Sequence, residues 1–251
     1  MLVLQDWRRL VWWPGIALTL TLTLLLAGGF DRAIAQALFY SESSGWLGAG
    51  AGDWWAHRLI HGAGRWMVRG IAAAAIVSFA ASFFVARLRP WRRELTYLVV
   101  GLIAVIAIAG LLKRVTNIDC PWSLAGFGGE YPYVSIFGDR PDDLPPAACF
   151  PGAHSSSGFA LMAFFFALRN RARRAARVAL ALSLVVGVTF AIGQEARGAH
   201  FLSHDLASAT LAWALLVGLY SRMLGSAAGA TAGAALTPAA TAWPGSTPAS
   251  P

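Results

Sequence analysis

Gly193-Gln-Glu-Ala-Arg-Gly-Ala-His-Phe-Leu-Ser-His-Asp205 lies between two strongly apolar segments and holds two of the chain's five histidines, Arg197 and two carboxylates. Polar groups packed between apolar runs are costly unless they are solvated, paired or used. A His, a second His four residues on, an adjacent Asp and a nearby Arg suit phosphate chemistry, in which positioned charge does most of the work. Other segments must then bring the missing groups to the same side of the same membrane.

The composition says membrane. The chain of 251 residues is 57% hydrophobic and 13% charged, with a mean hydropathy of +0.57. Soluble domains carry about 25% charged residues. The net charge of +8 does not indicate nucleic acid, because the Arg residues cluster in short loops between apolar runs. Base-rich loops of that kind report orientation in a bilayer. Among the 20 basic residues the only Lys is Lys113.

Six spans are expected, at residues 10–29, Trp66–Ala86, Leu95–Leu112, Ser155–Leu168, Val178–Ile192 and Leu206–Met223. About 20 apolar residues cross a hydrocarbon core of roughly 30 Å. Trp12 and Trp13 read as an interfacial anchor of the first span rather than part of a signal peptide. Residues 30–65 suit amphipathic segments at the interface. There His57 and His61 stand at i, i+4, a spacing open to metal binding but lacking the metalloprotease carboxylate between them, so an interfacial helix is expected. The membrane domain is expected over 1–224, with a disordered Ala/Gly/Pro/Thr-rich cytoplasmic tail over 225–251.

Six spans place both termini on one side, together with Arg8 and Arg9, the loop Arg87–Arg93, the loop Arg169–Arg177 and Arg222. The positive-inside rule makes that side cytoplasmic. Residues 30–65, 113–155 and 193–205 then face outward, so Lys113, His154 and the stretch quoted first share one face.

Three polar segments end helices there: Lys113-Arg-Val-Thr-Asn-Ile-Asp-Cys-Pro-Trp122, Cys149-Phe-Pro-Gly-Ala-His-Ser-Ser-Ser-Gly158 and Gly193–Asp205. They supply fixed cations, Gly-flanked turns and histidines. Helix-start N–H groups bind phosphate oxygens, and Gly152-Ala153-His154 opens a span. Gly126-Phe-Gly-Gly129 lacks a following helix and reads as a plain turn.

In order, the three segments resemble the type 2 phosphatidic acid phosphatases, or lipid phosphate phosphatases. Relatives of that family include undecaprenyl-diphosphate and lipid A phosphatases and the soluble vanadium haloperoxidases. The family's Lys, six residues, Arg-Pro reads here as Lys113, six residues, Cys120-Pro121. Its Pro-Ser-Gly-His reads as Pro151-Gly-Ala-His154. Its Ser-Arg, five residues, His, three residues, Asp places the nucleophile at His200, with Gln194 where Arg is usual and His204 at the Asp position, Asp205 one further on. The resemblance covers about 66–223.

The resemblance implies an all-α integral membrane protein, a six-transmembrane-helix bundle with a periplasmic-facing active site in a bacterial inner membrane. It implies a phosphatase acting on a lipid phosphate or diphosphate. His200 would attack phosphorus and His154 would protonate the leaving group. Lys113, Arg197 and Arg114, with the N–H groups around Gly152 and Ala153, would hold phosphoryl oxygens. His204 or Asp205 would orient His200. No cofactor or metal is implied. The partners would be the bilayer and a lipid of the undecaprenyl diphosphate, phosphatidylglycerol phosphate, phosphatidic acid or lipid A type, and no nucleic acid. A phosphotransferase of the same fold and a non-catalytic membrane protein are the alternatives. Arg197, about one helical turn before His200, would stand in for the Arg missing at position 194. Arg114 or Arg140 would replace the Arg missing at Cys120. Cys120 and Cys149 flank the outer loop and are expected to form a disulfide there, worth about 3 kcal/mol on the chain-entropy model.

Overall fold

The structure, a computed structural model, describes residues 2–225. Apart from Gly225, the expected tail lies outside the described residues.

Helix α1 (Leu2–Gly28) carries Pro14 and ends at Gly29, whose φ of 63° turns the chain into the short amphipathic helix α2 (Phe30–Leu38). A minimal hairpin follows, with β1 (Tyr40–Ser41) antiparallel to β2 (Gly45–Trp46). A π-helix, Trp54–Ala63, runs directly into α3 (Gly64–Ala81). Then come α4 (Arg92–Thr116), α5 (Ala153–Phe159), α6 (Ala163–Leu168), α7 (Arg173–Ala196) and α8 (Leu202–Met223). A 3-10 turn at Ala160–Met162 joins α5 to α6, so the two form one helical run.

Among the described residues four segments are long and apolar enough to cross a membrane: Val11–Gly28, Ala86–Ser123, Arg173–Ala196 and Leu202–Met223. The other two expected spans are helical but differ from that pattern. Helix α3 carries Arg65 and Arg69 in its first turns. The run Ala153–Leu168 is shorter and almost wholly buried. It is the hub of the bundle, packed against α4, α7 and α8. A helix enclosed by protein needs no lipid-facing side. The α5–α7 contact is very close, since a Cβ on Gly158 would sit 2.8 Å from the Gly187 Cα, as small residues allow between membrane helices.

Large apolar side chains such as Leu24, Val77, Ile103, Leu111 and Val185 are exposed on the bundle's outside. That pattern suits lipid contact and is unlike a soluble surface. The core beneath them is built on Tyr97, Leu102, Val105, Phe166 and Leu216. At one end of the bundle the Arg-rich connections hold together: Arg171 pairs with Glu94 at 2.6 Å and Arg93 donates to the Met223 carbonyl at 2.7 Å. The three motif-bearing segments meet at the opposite ends of the same helices.

Candidate active site

Each site residue sits where a helix starts or stops. Lys113 lies in the last turn of α4, which Asn117 terminates in the left-handed conformation, φ 51°. Asn tolerates that conformation better than other non-Gly residues. Its side-chain oxygen then accepts from the Ala147 N–H at 2.7 Å, and the Thr116 hydroxyl donates to the Phe150 carbonyl. These bonds lay the end of the long loop against α4. The loop is closed by a disulfide between Cys120 and Cys149, Cα–Cα 5.2 Å, as expected. Arg140 pairs with buried Asp119 through two bonds of 2.9 and 3.0 Å and also donates to the carbonyls of Leu144 and Pro145. Arg140 is therefore a clamp within the loop, neither solvated nor turned toward phosphate. Gly126-Phe-Gly-Gly129 is a turn, with Gly128 left-handed.

His200 lies in the connection between α7 and α8. Asp31 of α2 caps α8 from outside, its carboxylate accepting the Ser203 N–H at 3.0 Å. Gly198, at φ 70°, lets the chain turn under Trp46, where a Cβ would come within 2.3 Å of the indole. The Trp122 N–H donates to the Gly198 carbonyl and the Gly48 N–H to the Ala196 carbonyl, at 2.9 and 2.7 Å. The loop that carries His200 is thus bound on both sides by other segments.

His200 is buried, and its Nδ1 lies 2.7 Å from Asp205 Oδ1. With Asp205 ionised, Nδ1–H donates to its carboxylate and the Nε2 lone pair is left free. Of the two supports left open by the sequence, Asp205 makes the contact. The i, i+4 argument for His204 fails because His200 stands outside the helix, in the connection before α8. Asp205 occupies the first turn of α8, where side chains point back toward the helix start. His204 packs edge-on against Phe150 and Phe201, its ring centroid 6.0 Å from that of His200.

Burial, reinforced by the charges of Lys113 and Arg197, lowers the His200 pKa to about 3. At neutral pH the imidazole is uncharged. Lys113 and Arg197 are thereby the two cations brought to bear on His200. Arg197 caps α7, and its guanidinium donates to Gln194 Oε1 at 2.7 Å. Gln194, at the position where the resemblance places an Arg, thus holds the guanidinium of Arg197. Arg114 is exposed on α4 and is not among the charges acting on His200, His154 or His61. The structure does not bring it into the site.

Gly152 touches His200: a Cβ there would fall 2.5 Å from Cε1 and 2.6 Å from Nδ1. Its N–H, expected to face phosphate, donates instead to the His204 carbonyl at 3.1 Å. Its own carbonyl accepts from the Ser208 hydroxyl at 2.8 Å. Gly152 thus serves by close approach and leaves Ala153 as the helix-start position open to an anion. His154, at the start of α5, is buried and stacks on Phe190 at 4.1 Å.

Sequence reasoning missed two groups. His61 packs on His154, ring centroids 4.5 Å apart. Buried Glu195 lies against Asp205, and its presence at the end of an apolar span was the available signal. Among the described residues no cluster of three or more His, Cys, Asp or Glu has the geometry to hold a metal ion.

No curated protein and no solved structure matches the chain. A family model does: the PAP2 superfamily, over residues 94–226. That span contains Lys113, His154, Arg197, His200 and Asp205, and covers more than half of the chain, which belongs to the PAP2 superfamily.

Proposed function

We propose that the protein is a membrane lipid phosphate or diphosphate phosphatase that works through a phosphohistidine at His200. Membership of the superfamily supports hydrolysis of phosphoric esters. The observation that carries the rest is the buried His200–Asp205 pair under the charges of Lys113 and Arg197. In this reading His200 Nε2 attacks phosphorus in line, Asp205 steadies the developing imidazolium, and Lys113 and Arg197 take up charge on the phosphoryl oxygens, with the Ala153 N–H as a further donor. His154 protonates the leaving oxygen. Water then cleaves the P–N bond. The reading assigns no metal or cofactor.

A lipid is favoured by a groove of about 390 Å³ lined by Leu22, Leu112, Thr116, Phe150, Ala207 and Leu211, among others. It runs between α1, α4 and α8 and reaches Phe150-Pro151, directly before Gly152. An acyl or prenyl chain seated there would present its phosphate to His200. Six spans, with the site on the side opposite the Arg-rich loops, would place that phosphate at headgroup depth.

The reading is tested by phosphate release from vesicles carrying phosphatidic acid, phosphatidylglycerol phosphate, undecaprenyl diphosphate or lipid A. Release from none of them would refute it, and phosphate found on an added lipid acceptor would make the protein a transferase. Ala207→Trp fills the groove near its catalytic end. It is expected to raise KM for long-chain substrates about tenfold and to leave a short-chain phosphate monoester unchanged.

Gly152→Ala addresses the site itself. The backbone at 152 is pinned to α8, so the added methyl displaces His200 from Asp205. Misplacement on that scale costs about 100-fold in kcat, and an unchanged melting temperature would show that the fold is intact.

A further inference from the structure

The π-helix Trp54–Ala63 packs against the candidate site, His61 lying on His154. Such wide-turned helices are rare and concentrate at functional sites. This one is docked tightly on α7: a Cβ on Gly193 would lie 2.6 Å from Ile60 Cγ2, and one on Gly64 would lie 2.5 Å from the Phe190 ring. It carries a row of groups that runs inward from the surface. Asp53 Oδ1 is 3.1 Å from His57 Nδ1. The His57 and His61 ring centroids are 5.8 Å apart, and those of His61 and His154 are 4.5 Å apart. The His57 side chain is 52% exposed, His61 is half-buried, and His154 is buried.

His61 Nδ1 and His154 Nε2 are both buried and without a hydrogen-bond partner among the described residues. Buried polar atoms left unpaired in a native structure call for a reason. The other His154 nitrogen donates to the Ile60 carbonyl, on the same π-helix. Neutral His154 therefore presents Nε2 as an acceptor and must gain a proton there before it can act as an acid.

We propose that His61 is the proton partner of His154, a positioning residue that loads Nε2 of His154 with a proton drawn from solvent through His57. The inference rests on the phosphatase reading. His61 is faced by His57 and Arg65 on its own element, Arg197 after α7, His154 of α5 and His200 before α8. Burial first, then the charges of Arg197, Arg65, His57 and His200, lower its pKa to about 4, so His61 is neutral at rest near pH 7 and holds a proton only in transit. In the first step the P–N bond forms at His200, the P–O bond breaks, and the leaving oxygen takes the proton from His154. In the second step water adds to phosphorus, the P–N bond breaks, and both water protons leave with the phosphate as dihydrogen phosphate, so His154 stays neutral until His61 reloads it. The cycle closes with one ester, one water and one solvent proton converted to one alcohol and one dihydrogen phosphate.

The test uses the full chain in vesicles with dioleoyl phosphatidic acid, whose alkoxide leaving group needs a proton. His61→Phe is expected to lower kcat about 10- to 100-fold with KM little changed. His61→Ala is expected to fall similarly and to recover at least threefold with added imidazole. Turnover of 4-nitrophenyl phosphate, whose leaving group needs no acid, is expected to change less than threefold. A wild-type rate in His61→Phe, a KM effect without a kcat effect, or a defect that imidazole does not rescue overturns the proposal. Failure of the phosphatase reading itself looks different: wild type and His200→Ala would then release phosphate equally.

Discussion

Replacing His200 by alanine is expected to lower phosphate release from a lipid phosphate by about 10⁴- to 10⁶-fold, the scale on which enzymes lose rate when a covalent nucleophile is removed. The geometry leaves no substitute. Lys113 and Arg197 are the cations acting on this point, but neither is a nucleophile while charged. His204 is turned against Phe150 and Phe201, and His154 is held against Phe190. Because burial and the two cations keep His200 neutral down to about pH 3, its imidazole is uncharged throughout the physiological range, as the proposed nucleophile must be. Loss of activity between pH 6 and 5 would therefore arise from another group. Two measurements decide the matter: steady-state release, and acid-labile phosphate trapped on the wild-type protein by rapid denaturation. Equal rates for wild type and His200→Ala would refute the mechanism.

Asp205→Asn is expected to cost about 10³- to 10⁴-fold in kcat, with KM nearly unchanged. An amide can turn its NH2 toward Nδ1, which forces the proton onto Nε2 and removes the attacking lone pair. It also loses the negative charge opposite the developing imidazolium. The corresponding exchange in a Ser-His-Asp triad costs about 10⁴-fold. His204→Phe keeps the ring packed against Phe150 and Phe201 and is expected to stay within about tenfold of wild type. Kinetics of the two variants side by side check the assignment. A larger loss in His204→Phe than in Asp205→Asn would return the supporting role to His204.

Much of this site was legible because its groups are chemically conspicuous where they stand. A single Lys at the end of one apolar run, a His at the start of another and a His-Arg-Asp cluster between two more converge once the helix count fixes their common end. The choice between His204 and Asp205 was not legible, because it depends on where α8 begins relative to His200 and on which way a first-turn side chain points. Arg114 and Arg140 were both candidates in sequence to replace the Arg missing at Cys120. One turned out to be exposed and the other is spent on Asp119 and two carbonyls, outcomes set by tertiary contacts. His61 read as part of an interfacial helix because its significance comes from a neighbour far along the chain. The fourth span looked short because hydropathy assumes lipid on the outside of a helix, and α5 and α6 are surrounded by protein.

The disulfide also bears on how the site is held together. Cys120 and Cys149, 29 positions apart, stand between the chain that carries Lys113 and the chain that carries His154. They turn the intervening residues into a closed ring whose two ends are fixed beside each other, whatever lies between. Its first half packs on the connection that carries His200, Phe127 and Tyr133 lying against Phe201, so the ring also ties that connection to α4 and α5. The ring is thus a brace across three helix ends, and a change in its first half is a change in how Lys113, His154 and His200 are held together.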